Sequence, residues 1–384
     1  MSKHDFTAAE FTDRLARVRA EMSARALDWL VAIHPVSIHW LTGSDAKSYQ
    51  EFQCLLVSGA DRELVALVRA GEVAELRAES LVGEVIGWGG GVAEDPIPAF
   101  ASLGGRVGMI GRRVGLEVPG YYLHPHHYNQ LLHVLGRENV IEATDLIPGL
   151  KLVKSQAEIA CIRHAAALAD LGMERFAAAL EVGKTELALA GSIYGALLGA
   201  GSGIAASPIN LVSGPRSAFS HGAPTGRMLQ AGDFGNVEFG ATFARYTATI
   251  GRQFAVGQPT PRMIELYDVV RRAGDAMIGA IRDGVPTILV HEAAKAVIAA
   301  AGLDPYRVHL SGYGLAPGFP PSWAEPMHIL DGDRNVLRAG MVVTVEPPVF
   351  IEEEGLGARL IDNVLVTENG AELLTRYPRD LIVV

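Results

Sequence analysis

The stretches "AGDFGNVEFG" (residues 231–240) and "AGMVVTVEPP" (residues 339–348) follow the same plan, and together they decide the fold. In each stretch Ala-Gly precedes a run of mostly apolar and small residues. A glutamate, Glu238 or Glu346, stands six residues after that glycine. Such a run behind a turn signal predicts a buried strand. We therefore predict two equivalent strands, each ending in a glutamate.

A pair of predicted helices precedes each of these strands, which makes the second half of the chain an internal repeat. Residues 162–201 have the pattern of a helix, a glycine stop, a threonine cap and a second helix. Residues 269–302 repeat that plan about 100 residues later. Each pair leads into a predicted strand, "LVSG" (211–214) or "HLSG" (309–312). If the halves pack about a pseudo-twofold axis, the two glutamates face each other; the alternative is a chance repeat.

The first half of the chain alternates helix and strand signals. Residues 11–27 have a helical period, whereas residues 29–43 and 54–68 are predicted as strands with turns. Such alternation indicates an α/β domain. The fold class predicted for the whole chain is therefore α/β followed by α+β.

The boundary between the halves is predicted near residue 150. Pro148 and Gly149 break the chain, and residues 155–158 ("SQAE") form a capping box that opens a long helix. We accordingly divide the chain into domains of residues 1–150 and 151–384.

Composition limits the function. The 384 residues are 49% hydrophobic and 20% charged, with a net charge of -10, which argues against nucleic acid or an anionic membrane as a partner. Two cysteines, Cys54 and Cys161, are too few for a disulfide framework. The polar start "MSKHDFTAAEF" and the absence of a long apolar run predict a soluble, cytoplasmic protein.

The paired glutamates are the first candidates for chemistry. Two carboxylates in one cleft raise the pKa of one of them, and such a pair can act as acid and base or as base and nucleophile. The alternative is that Glu238 and Glu346 lie at exposed strand edges. His221, on the turn-rich loop 213–227, is either catalytic or solvated. The "HPHH" motif (124–127) has no nearby carboxylate or cysteine, which favours a surface role over metal binding.

Motifs along the full length resemble the pita-bread peptidase family, which includes prolidase, aminopeptidase P, methionine aminopeptidase, creatinase and ectoine hydrolase. The stretches that carry the resemblance are "SIHWLTGSD" (37–45), "LKLVKSQAEIACIRHAAALAD" (150–170), "GMVVTVEP" (340–347) and "LIDNVLVTENGAELLT" (360–375). The resemblance implies a creatinase-type N-terminal α/β domain and a C-terminal pita-bread domain with internal pseudo-twofold symmetry. It also implies a homodimer in which the N-terminal domain, with residues 42–52 as the candidate cover, covers the partner's cleft.

The resemblance also places the family's metal ligands. Metal-dependent members hold two divalent ions with two aspartates, a histidine and two glutamates. The matching positions in this chain are Glu238, Thr249, Tyr313, Glu346 and Ile361. Threonine, tyrosine and isoleucine do not replace aspartate, histidine and glutamate around such ions. We therefore predict no metal and no other cofactor.

The segment "GYGLAPGFPPSW" (312–323) resembles ectoine hydrolase, a metal-free member of the family, as creatinase also is. This likeness predicts a metal-independent hydrolase that cleaves a non-peptide C–N bond in a small amidine, guanidino compound or compatible solute. The alternatives are an Xaa-Pro dipeptidase or aminopeptidase with an altered metal site, and a catalytically inactive family member.

The same resemblance assigns roles to individual residues. His221 would shuttle a proton, and Glu238 would attack the substrate or activate water. Glu346 would bind a cationic nitrogen, and Tyr313 would donate its hydroxyl to the intermediate. The predicted substrate-binding residues are Tyr246, Thr249, Arg252 and Arg359. The two arginines would receive a substrate carboxylate, or instead form structural ion pairs.

Overall fold

The computed structural model describes residues 3–91 and 94–384, and the chain forms two compact units. The first unit spans Met1–Lys151 and the second spans Leu152–Val384. Each unit has its own hydrophobic core, so each is described by itself below.

The first unit alternates helices and strands. Its helices are α1 (Ala8–Ala24), α2 (Pro35–Thr42), α3 (Val73–Glu79), α4 (Ile97–Val107), α5 (Pro125–Leu135) and α6 (Leu146–Lys151). Its strands are β1 (Trp29–Ala32), β2 (Cys54–Ser58), β3 (Val65–Arg69), β4 (Glu84–Trp88), β5 (Val114–Leu116) and β6 (Val140–Glu142). Within the described residues these strands form a six-stranded mixed sheet in the order β4-β3-β2-β1-β5-β6.

One predicted strand of the first unit is partly a helix. Residues 29–32 form β1, but residues 35–42 form α2, which begins at Pro35 behind the N-cap His34. Every residue of α2 is buried, so its apolar sequence lacks the period of an amphipathic helix. Such a short apolar run cannot be assigned to helix or strand by its pattern.

The second unit carries two helical pairs and a large sheet. Its helices are α7 (Gln156–Ala179), α8 (Glu186–Gly199), α9 (Pro261–Ala280) and α10 (Thr287–Ala300). Its strands are β7 (Asn210–Ser213), β8 (Phe234–Phe243), β9 (Tyr246–Ala255), β10 (Gly312–Phe319), β11 (Ser322–Ile329), β12 (Val342–Val345), β13 (Val349–Ile351), β14 (Leu356–Ala358), β15 (Asp362–Val366), β16 (Ala371–Leu373) and β17 (Ile382–Val383).

The sheet of the second unit brings the two halves of the repeat together. Among the described residues its strands run β16-β15-β12-β10-β9-β8-β7, with β11 added beside β10 and β17 beside β9. Strand β10 pairs antiparallel with both β9 and β12, so it joins the half that contains β8 to the half that contains β12. The separate hairpin β13-β14 lies outside this sheet.

The repeat has the predicted helices, with local differences. The Ser155 capping box opens α7, and Thr185 caps α8 through its side chain. The equivalent Thr287 is already inside α10, where its hydroxyl donates to Asp333 instead. The predicted strand "HLSG" is wrong, since β10 begins only at Gly312.

The two glutamates do not occupy equivalent positions on their strands. Glu346 follows the last residue of β12, as predicted. Glu238 instead lies in the middle of β8, which continues to Phe243. Glu238 therefore projects from an interior strand position, where neighbouring strands can reach its carboxylate.

None of the helices in the described part of the chain is long and apolar enough to cross a membrane.

Candidate active site

A cavity of about 210 Å³ lies in the second unit at the point where the two halves of the repeat meet. Polar side chains form one part of its lining, and apolar groups from the loop before β10 and from the β10–β11 hairpin form the rest. The lining residues are Ser207, Asn210, His221, Glu238, His309, Leu310, Tyr313, Pro321, Ser322, Trp323, Ala324 and His328. Three of the four predicted catalytic residues are among them.

Glu238 is held in a fixed hydrogen-bonded ion pair. Its Oε2 accepts a hydrogen bond from Nη1 of Arg359 and another, at 3.0 Å, from Nδ2 of Asn210. Both partners of the ion pair are buried, and Nη2 of Arg359 also donates to the carbonyl of Ser220. A carboxylate so neutralised is a weak nucleophile. This contact supports the structural role weighed for Arg359 over the binding of a substrate carboxylate.

Glu346, the fourth predicted catalytic residue, is buried beside the cavity and lacks a cationic partner of its own. Its Oε1 lies 3.6 Å from Nδ1 of His309, and its Oε2 has no hydrogen-bond partner among the described residues. Burial raises the pKa of Glu346 well above its usual range, and the nearby charge of Glu238 raises it further. Arg359 and hydrogen bonds from Thr344 and Tyr313 oppose that rise.

The charge state of Glu346 follows from this arrangement. Glu238 already pairs with the nearby arginine, so a second carboxylate charge would stand unpaired in a buried place. This arrangement favours the protonated form of Glu346. A neutral carboxyl does not form an ion pair with a cationic nitrogen, so the arrangement favours an acid over a cation binder, and the role of Glu346 stays a prediction.

Two histidines face each other across the cavity. The ring centroids of His221 and His309 lie 5.2 Å apart. Burial lowers the pKa of both imidazoles, and the positive charge of Arg359 lowers each of them further. Both rings are therefore neutral near pH 7 and can accept a proton. His221 was predicted, whereas His309 was missed because it was interpreted as part of a strand.

Tyr313 is fixed at the centre of the lining. Its backbone N–H donates to Oγ1 of Thr344 at 3.0 Å, and its hydroxyl accepts a hydrogen bond of 3.0 Å from Nε1 of Trp323. Burial raises the pKa of Tyr313 well above its usual range, and the carboxyl groups of Glu346 and Glu238 add to that effect. The phenol therefore keeps its proton and acts as a neutral hydrogen-bond donor.

None of the four predicted substrate-binding residues lines the cavity, and three of them bond the protein interior. Arg252 is fully buried and donates to four backbone carbonyls and to Oδ1 of Asp362. The Thr249 hydroxyl accepts from Nδ2 of Asn363 at 3.0 Å. The Tyr246 hydroxyl donates to the Glu158 carboxylate at 2.7 Å. All three lie on β9, and their polar groups bond the protein interior. We propose a structural role for them in place of the predicted substrate-binding role.

Replacing Tyr246 with phenylalanine tests that structural role. The change removes a buried hydrogen bond to a carboxylate, so we expect the free energy of unfolding to fall by about 1.5–3 kcal/mol. Ligand affinity should stay unchanged, because Tyr246 does not line the cavity. Urea unfolding and calorimetric titration measure the two quantities. Tyr121→Phe, at a residue 59% exposed, is the control and should shift stability by less than about 0.5 kcal/mol. A large loss of affinity in Tyr246→Phe would contradict the structural role.

The five positions that match the family's ligands do not fit a pair of metal ions. Glu238 pairs with Arg359, the Thr249 hydroxyl bonds an asparagine, and the Tyr313 phenol bonds a tryptophan. Ile361 is buried hydrocarbon packed onto Gly251, where an added Cβ would lie 2.7 Å from Cγ1 of the isoleucine. Among the described residues no group of three or more histidines, cysteines, aspartates or glutamates could hold a metal ion. We derive no step through a metal.

Comparison with known proteins matches both halves of the chain. Residues 14–153 match the creatinase/prolidase N-terminal domain, and residues 160–368 match metallopeptidase family M24. The chain is 32% identical to a probable dipeptidase PepE of Mycobacterium bovis, with 100% of this chain and 99% of that protein covered.

Solved structures agree in fold. Dipeptidase PepE from Mycobacterium ulcerans has a TM-score of 0.86 and 30% identity, with 99% of each chain covered. An Xaa-Pro dipeptidase from Bacillus anthracis has a TM-score of 0.85, with 97% of this chain and 100% of that chain covered. The latter is only 23% identical, so it bears on the fold alone.

These findings confirm the predicted fold class, a creatinase-type N-terminal domain followed by a pita-bread domain. The chain belongs to metallopeptidase family M24, within the superfamily of creatinase, prolidase and aminopeptidase P.

The main functional prediction is wrong. A metal-independent hydrolase of non-peptide C–N bonds in an amidine or compatible solute is overturned by relatives that are named dipeptidases and by a matched family of metallopeptidases. That prediction rested on the three changed metal-ligand positions and on the likeness of residues 312–323 to ectoine hydrolase. These are local features, whereas the comparisons cover almost the whole chain.

Proposed function

We propose that this chain is a small-peptide hydrolase of the dipeptidase type with an altered centre, acting on the amide bond of a dipeptide. The observation that carries the proposal is the buried Glu346 carboxyl, which has an unpartnered oxygen and lies beside a cavity bordered by neutral histidines and a tyrosine. A cavity of about 210 Å³ has room for a ligand of a few residues at most. The dipeptidases that the chain resembles over nearly its full length support this choice.

The side chains can divide the work of amide hydrolysis. The Tyr313 hydroxyl is a neutral donor for the oxygen of the scissile carbonyl. His221 or His309 can accept a proton from water as the water oxygen bonds the carbonyl carbon. Glu346 can give its proton to the departing amine nitrogen as the C–N bond breaks. The 3.6 Å approach between His309 and Glu346 then offers a route for the proton to return to the carboxyl.

Glu238 and Arg359 act differently in this proposal from the roles that the sequence predicted. Their ion pair supplies a fixed charge-neutral wall that does not compete for the substrate, while burial favours the protonated form of Glu346. A small-molecule substrate in the cavity therefore meets Tyr313 and three histidines, His221, His309 and His328, with Glu346 beside them.

A second function is a family member that binds a small peptide without turning it over. The observation that favours it is the loss of metal ligands, because Thr249 and Ile361 are buried residues that cannot act as ligands. In that case the cavity would bind a dipeptide, and added metal ions would not produce hydrolysis.

Turnover of a dipeptide panel decides between these functions. Chelator-treated protein and protein supplemented with Mn²⁺ or Co²⁺ are incubated with Xaa-Pro and other dipeptides, and mass spectrometry follows the free amino acids. Hydrolysis supports the proposal, and the two preparations show whether metal contributes. Stabilisation by a dipeptide in a thermal-shift assay without products favours the binding function. Neither hydrolysis nor stabilisation would overturn both.

Three more specific predictions from the sequence stay predictions. The placement beside ectoine hydrolase rests on residues 312–323 and supports no part of the proposal. The homodimer, with the N-terminal domain of one subunit covering its partner's cleft, is testable by light scattering. The cytoplasmic location also rests on the sequence alone.

A further inference from the structure

Trp323 contributes more to the site than an apolar wall. It lies on β11 near the hairpin turn, is 5% exposed, and lines the cavity. Its indole Nε1 lies 3.0 Å from the hydroxyl oxygen of Tyr313 on the neighbouring strand β10. Strands β10 and β11 pair antiparallel, with register shifts on either side of Leu315. The paired strands hold both rings in place.

The direction of this hydrogen bond follows from the chemistry of the indole. An indole N–H only donates, so the Tyr313 oxygen must accept from Trp323. The phenolic proton is then free to make one donation, and it must turn away from the tryptophan. Tyr313 lines the cavity, so that donation is available to a ligand bound there.

We propose that Trp323 is a positioning residue, whose indole N–H holds the Tyr313 hydroxyl so that the phenolic proton points away from the indole and into the cavity. The consequence for turnover rests on the proposed function, because an oriented donor matters only where a reacting carbonyl meets it. The hydrogen bond itself does not depend on that function. The ring of Trp323 also lines the cavity, but its indole N–H acts on the reaction through Tyr313.

A double-mutant cycle tests the inference. Trp323→Phe keeps an aromatic ring but removes the indole N–H, and Tyr313→Phe removes the phenolic hydroxyl. We expect Trp323→Phe to lower kcat for a dipeptide about tenfold while KM stays within about twofold, since one hydrogen bond of about 1.4 kcal/mol is lost in the transition state. In the Tyr313→Phe background the same change should cost nothing further.

Trp88→Phe is the matched control. Trp88 is equally buried and also loses an indole hydrogen bond, to the carbonyl of Phe52, but it lies in the first unit. Its kcat should not change. An unchanged kcat in Trp323→Phe, or an equal loss of kcat with and without the Tyr313 hydroxyl, would overturn the inference.

A second readout separates this inference from the proposed function. The ¹⁵N resonance of the Trp323 indole, identified by its absence in Trp323→Phe, should move in Tyr313→Phe because its acceptor is gone. If the resonance moves but the protein hydrolyses no dipeptide, the proposed function is refuted and the orientation of the Tyr313 hydroxyl by Trp323 is supported. An unmoved resonance would overturn the inference whatever the activity. If Trp323→Phe does not fold, phenylalanine variants of the other three tryptophans identify the resonance by elimination.

Discussion

Glu346→Gln should lower dipeptide turnover by about 10²- to 10⁴-fold, the usual contribution of a positioned general acid. Glutamine keeps the shape and can still accept a hydrogen bond from Tyr313, but it has no proton to give to a departing amine. Substrate affinity should change little, because the wild-type carboxyl is already neutral. The measurement is kcat and KM for the best dipeptide of the panel.

Glu353→Gln, on the exposed turn between β13 and β14, is the matched control and should retain full turnover. If Glu346→Gln retained wild-type kcat, a group other than Glu346 would have to donate the proton to the departing amine.

Glu346→Gln should also change how the free energy of unfolding depends on pH. The folded-state pKa of Glu346 is raised above its value in the unfolded chain, so the unfolded chain loses the proton first. Wild-type stability therefore falls as pH rises from the unfolded value toward the folded one, by up to about 1.4 kcal/mol per pH unit. Glutamine has no such titration, so the variant should gain stability relative to wild type over that window. Urea unfolding from pH 4 to pH 8 follows the difference.

Arg359→Met should have the largest effect on stability. It leaves the buried carboxylate of Glu238 without its cation and next to a second carboxyl, Glu346. Removing one partner of a buried ion pair costs about 3–5 kcal/mol. We expect a loss of that size in the free energy of unfolding from urea denaturation at pH 7.

A compensating change identifies the cause of that loss. Glu238→Gln in the Arg359→Met background removes the unpaired charge and should recover most of the stability, which gives a strong coupling in the double-mutant cycle. Arg163→Met breaks a half-exposed pair with Glu372 and should cost only about 0–1 kcal/mol. Additive losses in the cycle would mean that Arg359 stabilises the fold through its other contacts.

The internal repeat could be predicted from the sequence because it is defined by the spacing between residues. Glu238 and Glu346 stand at the same distance from equivalent Ala-Gly turns, and folding brings both to one cavity. Pattern also located the capping box at Ser155, which depends on residues three apart. Features set by nearby residues were therefore predictable.

Contacts between distant residues were not predictable in the same way. The partner of Glu238 is 121 residues away, and nothing local distinguishes Arg359 from other arginines near the end of the chain. That pair neutralises Glu238 and bears on the roles of both glutamates, so those roles could not be assigned from the local sequence. Arg252 likewise reaches carbonyls more than 100 residues away.

The family resemblance did not show which partners these side chains bond in this chain. Tyr246 and Thr249 occupy strand positions that the family uses, but here their hydroxyls bond Glu158 and Asn363. His309 was missed although it stands four residues before Tyr313 and lines the same cavity. Its signal was masked by the strand predicted for residues 309–312.

The protonation state of Glu346 is the most direct test of this account. An infrared difference spectrum of wild type minus Glu346→Gln at pH 7 isolates the vibration of this one carboxyl from those of the other acidic residues. The account predicts a carbonyl stretch of a protonated acid in the wild type, which disappears only at higher pH. A carboxylate band at pH 7 instead would show that Glu346 is ionised beside Glu238, and would contradict the proposed acid.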